Sequence, residues 1–188
     1  MRNTFDRFNG RHQDYQAARP SYAQEFLDWL GELYAPPERY TAADIGSGTG
    51  KLSAQLLAAG FRVCGVEPNP DMRGAAEALL GGDPRFSSSN GTDHDTGLPD
   101  RSVDMVAAAQ AFHWFDGPAF ARECRRILRP GGRAVLVWNV RGSAPMNQAL
   151  AQVFREHCPS FHGFTGGMGE DDPRIRDFFG GAYEKRRF

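Results

Sequence analysis

The chain has 188 residues, with 22 basic and 23 acidic side chains and a formal net charge of −1. That length suits one domain with a core of its own, and the balanced charge argues against nucleic acid or an anionic membrane as a partner. No run approaches the roughly 18 apolar residues of a membrane span. The first ten residues are polar and lack an apolar signal centre, so no secretion is expected. Cys64, Cys124 and Cys158 are odd in number and form no CxxC pair, which reads as reduced thiols in a cytoplasmic protein. Glycine is over-used, at 22 positions, so the places where it clusters carry information.

In chain order, residues 1–20 form a polar arm with scattered aromatics. Ser21 and Gln24 have capping-box spacing. Ala23, Phe26, Leu27, Leu30 and Leu33 then recur at helical spacing until Pro36-Pro37. Thr41–Ile45 reads as a strand ending in a glycine turn, and Lys51–Ala59 as a helix closed by Gly60. Phe61–Val66 reads as a strand, and Asn69 caps a helix with Pro70 at its first position, closed by Gly81-Gly82. Arg85–Ser89 and Val103–Ala109 read as strands, and Asp116 caps a helix running to Leu128. The turn Arg129-Pro130-Gly131-Gly132 leads into a strand over Ala134–Val140. Beyond it, Pro145–His157 and Ile175–Phe179 read as helices, Pro159–Pro173 as a glycine-rich loop, and Tyr183–Phe188 as the start of a strand. Apolar strands alternating with helices imply a parallel sheet covered on both faces.

The loop Asp44-Ile45-Gly46-Ser47-Gly48-Thr49-Gly50 leaves the first strand and opens a helix. In a doubly wound sheet the ligand crevice lies outside the carboxyl ends of the strands, where this loop falls. Glycines allow close backbone approach, and the helix N-terminus offers free N–H groups. A P-loop fails, because Ile45 and Leu52 occupy positions that need glycine and Ser or Thr. A dinucleotide fingerprint needs glycine where Lys51 stands, which disfavours a tightly packed pyrophosphate. An S-adenosylmethionine site has no pyrophosphate, and Asp44 at the strand's end suits a cationic amino-acid tail. Glu67, at the end of the second strand and 21 residues after Gly46, is placed to accept both ribose hydroxyls.

Taken together these segments resemble the class I S-adenosylmethionine-dependent methyltransferases, in particular the methyltransferase type 11 group, over roughly residues 14–140. The likeness is carried by Asp-Ile-Gly-Ser-Gly-Thr-Gly at 44–50 and Val-Glu-Pro-Asn at 66–69. It continues through Leu98-Pro99-Asp100, Ser102-Val103-Asp104, Ala109–Asp116 and Leu128-Arg129-Pro130-Gly131-Gly132. Tyr15 with Arg19-Pro20-Ser21-Tyr22 is similar to the segment that covers the cofactor in related enzymes. The resemblance implies a three-layer, doubly wound, Rossmann-like α/β domain with a mostly parallel sheet, and S-adenosyl-L-methionine as cofactor. Its implied cofactor-binding residues are Asp44, Gly46, Ser47, Gly48, Gly50, Glu67, Thr92, Asp93, His94, Gln110, Tyr15 and Arg19. Gly91-Thr92-Asp93-His94 stands where the family holds adenine, although Asp93-His94 replaces the expected small-residue–Glu pair.

The expected reaction is in-line methyl transfer to a small-molecule acceptor, with orientation supplying much of the rate. His113 is the candidate general base, and Phe112 and Trp114 are candidate acceptor walls. His157, Cys158 and His162 match no structural zinc spacing, so no metal site is assigned. Residues 1–35 are assigned to an arm and cap helix, 40–140 to a cofactor core and 141–188 to a substrate-side segment. The family's sheet has seven strands in the order 3-2-1-4-5-7-6. The last strands are unaccounted for here, so a longer natural chain, a homodimer or a partner chain is expected to cover the open edge. The alternatives are a non-catalytic S-adenosylmethionine-binding subunit and an NAD(P)-dependent oxidoreductase.

Overall fold

The computed structural model describes residues 20–140, 145–158, 168–169 and 171–188. Helix α1 is Gln24–Leu33, followed by a 3-10 turn at Pro37–Arg39 and strand β1 at Thr41–Ile45. Helix α2 (Lys51–Ala58), β2 (Arg62–Val66), α3 (Pro70–Leu80), β3 (Phe86–Ser89) and β4 (Val103–Ala109) follow in turn. A 3-10 turn at Phe112–Trp114 leads to α4 (Gly117–Ile127) and β5 (Leu128–Val137), and then come α5 (Pro145–His157) and α6 (Pro173–Phe178). The strands form one sheet in the order β3-β2-β1-β4-β5, and every pairing is parallel. The expected doubly wound α/β arrangement is therefore present, with β3 and β5 at its two edges.

Period-two alternation sorts the central strands into two cores. Ala42, Val63, Met105 and Ala107 pack on one face with Phe26, Leu27 and Leu30 of α1 and Leu52, Leu56 and Leu57 of α2. Ala43, Ile45, Cys64, Val66, Val106 and Ala108 pack on the other with Phe120, Ala121, Cys124 and Ile127 of α4 and Ile175 and Phe178 of α6. Both faces need apolar residues because a parallel sheet is buried on both sides, which is why these strands read as continuous apolar runs. Because every pairing is parallel, every strand's carboxyl end lies on one side, where the connecting loops meet.

Two helix starts obey the expected capping chemistry. The Asn69 side chain accepts the N–H groups of Asp71 and Met72, with Pro70 at the first position of α3. Asp116 accepts the N–H of Ala119 at 2.9 Å at the start of α4. The capping box at α1 does not form: Ala23 is the cap residue, without a side-chain bond, and Gln24 donates instead to Asp28 one turn along. The strand β5 begins at Leu128 and ends at Val137, not over Ala134–Val140. Val103 pairs with Leu128 and Met105 with Arg133, so the turn Arg129–Gly132 is a bulge within the strand.

The expected strand over Tyr183–Phe188 does not form either. Phe188 packs instead on Phe26 and Trp29 of α1, with ring centroids 5.8 Å away in both cases, and Arg186 lies over the Trp29 ring at 5.2 Å. Aromatic contact with α1 has replaced backbone pairing as this segment's anchor. Among the described residues no helix is long and apolar enough to cross a membrane, and no group of three His, Cys, Asp or Glu side chains is arranged for a metal ion. His162 lies outside the described residues.

Replacing Asn69 by alanine removes both N-terminal bonds of α3 at a buried position. The expected cost is about 1–2 kcal/mol, read as a lower midpoint in urea unfolding at unchanged m-value. An unchanged midpoint would show that the cap contributes nothing.

Candidate functional site

The carboxyl ends of β1, β2 and β4 converge because these three strands are adjacent and parallel. At the end of β1, Gly46 has φ +69°, a left-handed conformation that favours glycine. A Cβ there would lie 2.8 Å from the Ala111 Cβ and 3.2 Å from the Phe115 ring. The glycine thus lets the loop after β1 touch the segment after β4. Gly50 (φ +81°) does the same towards α3, where a Cβ would meet Leu80 at 2.9 Å and Ala76 at 3.1 Å.

The cleft beside this loop is walled by Asp44, Gly46–Thr49, Lys51 and Leu52 of α2, Ala109 of β4, and Pro20 and Tyr22 from the segment before α1. Asp44 is 1% exposed. One carboxylate oxygen, Oδ2, accepts the Ser53 hydroxyl at 2.7 Å. The other, Oδ1, is buried with no hydrogen-bond partner among the described residues. Burial pushes the Asp44 carboxyl up to about 6, the Ser53 bonds oppose the rise, and the nearby Glu67 charge adds to it. Leaving a buried acceptor unmet is costly, so this oxygen marks where the cleft lacks a donor.

Glu67, at the β2 end, is 9% exposed. Its Oε2 accepts the Gly48 N–H and its Oε1 the Asn69 N–H, each at 2.9 Å. One side chain therefore joins the glycine loop to the start of α3. Burial raises its pKa, while these two backbone bonds and the Arg73 charge pull against the rise. A carboxylate has about four lone-pair sites, so both oxygens retain capacity for further donors. Arg73 is tied in turn to the Glu67 carbonyl at 2.8 Å and to the Asn90 side chain at 2.9 Å.

The loop after β3 closes on itself and on α4. The Thr92 N–H donates to the Asp95 carbonyl, and the Asp95 N–H to the Thr92 hydroxyl. Asp93 contacts the exposed His94 ring at 3.1 Å and accepts the Asp116 N–H at 3.0 Å. Thr96, fully buried, donates its N–H and hydroxyl to Glu123 of α4 at 2.9 and 2.6 Å. Burial opposes ionisation of Glu123, but its bonds from Arg126 and Thr96 prevail and hold it down at about 2.

At the end of β4, Gln110 takes a left-handed φ of +54°, unusual for a residue with a Cβ. Its N–H donates to the Val137 carbonyl at 2.8 Å and its Nε2 to the Asn139 carbonyl at 3.1 Å. Phe112 corrects one expectation: it is 2% exposed and ringed by Phe115, Phe120, Trp138 and Phe178, which makes it a core side chain, not an acceptor wall. Trp114 is 46% exposed and its ring lies 4.9 Å from that of the half-buried His113.

The structure thus gathers Asp44, Gly46, Ser47 and Gly48 at one cleft, with Glu67 joined through Gly48 and Gln110 following Ala109. Thr92, Asp93, His94, His113 and Trp114 lie at the same end of the sheet but do not wall this cleft. Tyr15 and Arg19 fall outside the described residues. Ser53, Thr96 and Glu123 were missed as supports. Their signal was a polar residue inside an apolar helical stripe: Ser53 between Leu52 and Leu56, and Glu123 among Phe120, Ala121, Cys124 and Ile127.

A raised carboxyl pKa means that folding retains a proton the unfolded chain would release. Asp44 therefore costs no stability below about pH 4 and progressively more as pH rises through 6. Asp44→Asn is expected to gain stability relative to the parent across this window, levelling off above it at up to about 3 kcal/mol. Urea unfolding from pH 4 to 7.5 measures it, and a pH-independent difference would contradict the buried charge.

Comparison with known proteins agrees with this fold. The family model described as "Methyltransferase domain", of the type 11 group, matches residues 43–136. An uncharacterized methyltransferase of Mycobacterium tuberculosis is 42% identical over 127 residues, covering 68% of this chain and 49% of that protein. One from Schizosaccharomyces pombe is 31% identical over 147 residues, covering 77% and 57%. The chain thus spans about half the length of the curated relatives it matches. A solved structure described as a "putative type II methyltransferase" from Anaeromyxobacter dehalogenans is similar at 34% identity and a TM-score of 0.60, covering 87% of this chain and 64% of that one. A SAM dependent methyltransferase from Aquifex aeolicus shares the fold at 19% identity and a TM-score of 0.54, covering 69% and 77%. With the glycine loop, the strand-end acids and the five-strand order in place, the chain belongs to the methyltransferase type 11 family of class I S-adenosylmethionine-dependent methyltransferases.

Proposed function

We propose that this chain binds S-adenosyl-L-methionine and carries out methyl transfer to a small-molecule acceptor. The observation that carries the reading is the unmet, buried Asp44 oxygen beside the glycine loop. A cationic ammonium supplies both the missing donor and the charge that this carboxylate lacks. The other residues fit the same ligand. Glu67 has lone pairs left for two ribose hydroxyls, Gly46, Ser47 and Gly48 wall the cleft while Gly50 lets the loop pack on α3, and the Gly91–His94 loop is assigned to the adenine. Gln110, at the end of β4, is assigned to the methionyl region, and Tyr15 and Arg19 are assigned to close over it.

When bound, the cofactor supplies an electrophilic methyl group on a sulfonium, whose departure leaves a neutral thioether. The chain's own task is alignment. Asp44 would hold the donor by its ammonium and Glu67 by its ribose, which would leave the methyl group oriented for an acceptor. Acceptors that lose a proton need a base, and His113 is our candidate: it sits in the 3-10 turn next to Ala111, the residue Gly46 touches. Trp114, exposed beside it, is the candidate acceptor wall. The cytoplasm is the proposed location.

Isothermal titration with S-adenosylhomocysteine tests the reading. Binding is expected above pH 7 and weakens as pH falls through about 6, because protonated Asp44 loses its attraction for the ammonium. Asp44→Asn is expected to weaken binding by about 1.5–3 kcal/mol, the worth of a hydrogen bond to a charged group, and to flatten the pH dependence. Binding of NAD(H) in place of S-adenosylhomocysteine would overturn the assignment in favour of an oxidoreductase. Binding without product release across a panel of acceptors would favour a non-catalytic subunit.

A further inference from the structure

Residues 20–22 are held at the cleft from two sides by side chains outside the set assigned to the cofactor. Gln55, on α2, grips a single residue with both ends of its amide. Its Oε1 accepts the Tyr22 N–H at 3.0 Å, and its Nε2 donates to the Tyr22 carbonyl at 3.0 Å. Two parallel bonds to one residue fix both the position and the rotation of that backbone, as a neighbouring strand would. On the other side, the Asn139 Nδ2 lies 3.4 Å from the Pro20 carbonyl and 3.3 Å from that of Ser21, and its own carbonyl accepts Gln110. These residues precede α1, which begins at Gln24. Pro20 and Tyr22 wall the same cleft as Asp44.

We propose that Gln55 is a positioning residue: it seats residues 20–22 as the outer wall of the Asp44 cleft and thereby sets how long the cofactor stays. The proposal rests on the S-adenosylmethionine reading. Its physical basis is that α2 is also the helix the glycine loop opens, so one rigid element carries both the loop and the hook for the wall. Release requires the wall to lift, and lifting breaks the paired Gln55 bonds. Their loss therefore quickens release and, because the wall is already seated in the ligand-free structure, quickens entry as well. Asn139, whose contacts are longer, is the weaker second anchor.

Gln55→Leu removes both bonds at similar volume, and Gln55→Glu keeps the acceptor for the Tyr22 N–H while losing the donor. Two measurements on the full chain decide the matter: amide hydrogen exchange at Tyr22, and the dissociation rate of S-adenosylhomocysteine by stopped-flow displacement. In Gln55→Leu we expect dissociation to quicken about tenfold, as two ordinary hydrogen bonds allow. Exchange at Tyr22 is expected to quicken with it. Gln55→Glu and Asn139→Ala are expected to show smaller increases, and Gln55→Glu carries the comparison alone if the leucine variant fails to fold. Unchanged exchange at Tyr22, or faster exchange without faster dissociation, would overturn the proposal. If the parent protein binds no S-adenosylhomocysteine, the cofactor reading and the residence-time role fall together, and the exchange measurement still decides whether Gln55 seats the wall.

Discussion

A buried carboxylate with one oxygen unmet among the described residues is the constraint around which the sheet's carboxyl end is organised. Asp44 sits on β1, the central strand, with β2 and β4 on either side. Among the described residues, Ser53 supplies a side-chain donor to one oxygen only, and the nearest charge noted for it is that of Glu67, another acid. Packing alone gives no reason for a charge at this position, since an apolar residue would remove both the desolvation cost and the unmet acceptor. Sites that bind ligands commonly carry such a cost. In the proposed reading, the acid takes a cationic group from the ligand, a donor that its neighbours among the described residues do not supply.

The rest of the site follows from bringing three strand ends within reach of that acid. Gly46 permits the β1 loop to touch Ala111, so the segments after β1 and β4 form one surface. Glu67 joins the same loop to α3 by taking one N–H from each. A single buried carboxylate thus holds the shape of the glycine loop while keeping lone pairs for a ligand. Further out, Glu123 ties the loop after β3 to α4 through Thr96. The strained backbone of Gln110 is held by the end of β5 and by Asn139. Each connecting loop is therefore fixed by an element that is distant in sequence, and the cleft is preformed to that extent.

Much of this was legible in the sequence because its causes are local. Alternating strands and helices imposed a parallel sheet, and Asn69-Pro70 and Asp116 announced helix starts through bonds spanning two or three residues. The spacing of Asp44, the glycines and Glu67 was readable because strand length and turn chemistry fix where strand ends meet. What escaped depends on tertiary neighbours. The bulge at Arg129–Gly132 exists only because β4 lies alongside. The capping box at Ser21 failed where Gln55 and Asn139 hold the backbone of residues 20–22. Phe112 looked like a pocket wall by its place in the motif, yet its ring is enclosed by α4, α6 and Trp138. The Gln55–Tyr22 pair joins residues 33 apart in the chain, a distance at which no periodicity gives notice.

The central claim is that Asp44 is the partner of a cationic ligand group, and carboxyl carbon NMR of labelled aspartate tests it most directly. In the free protein the Asp44 resonance is expected to titrate near 6. On saturation with S-adenosylhomocysteine that titration is expected to move below the ordinary aspartate range, because the ammonium favours the ionised form. A bound state in which Asp44 still titrates near 6, or at higher pH, would contradict the account.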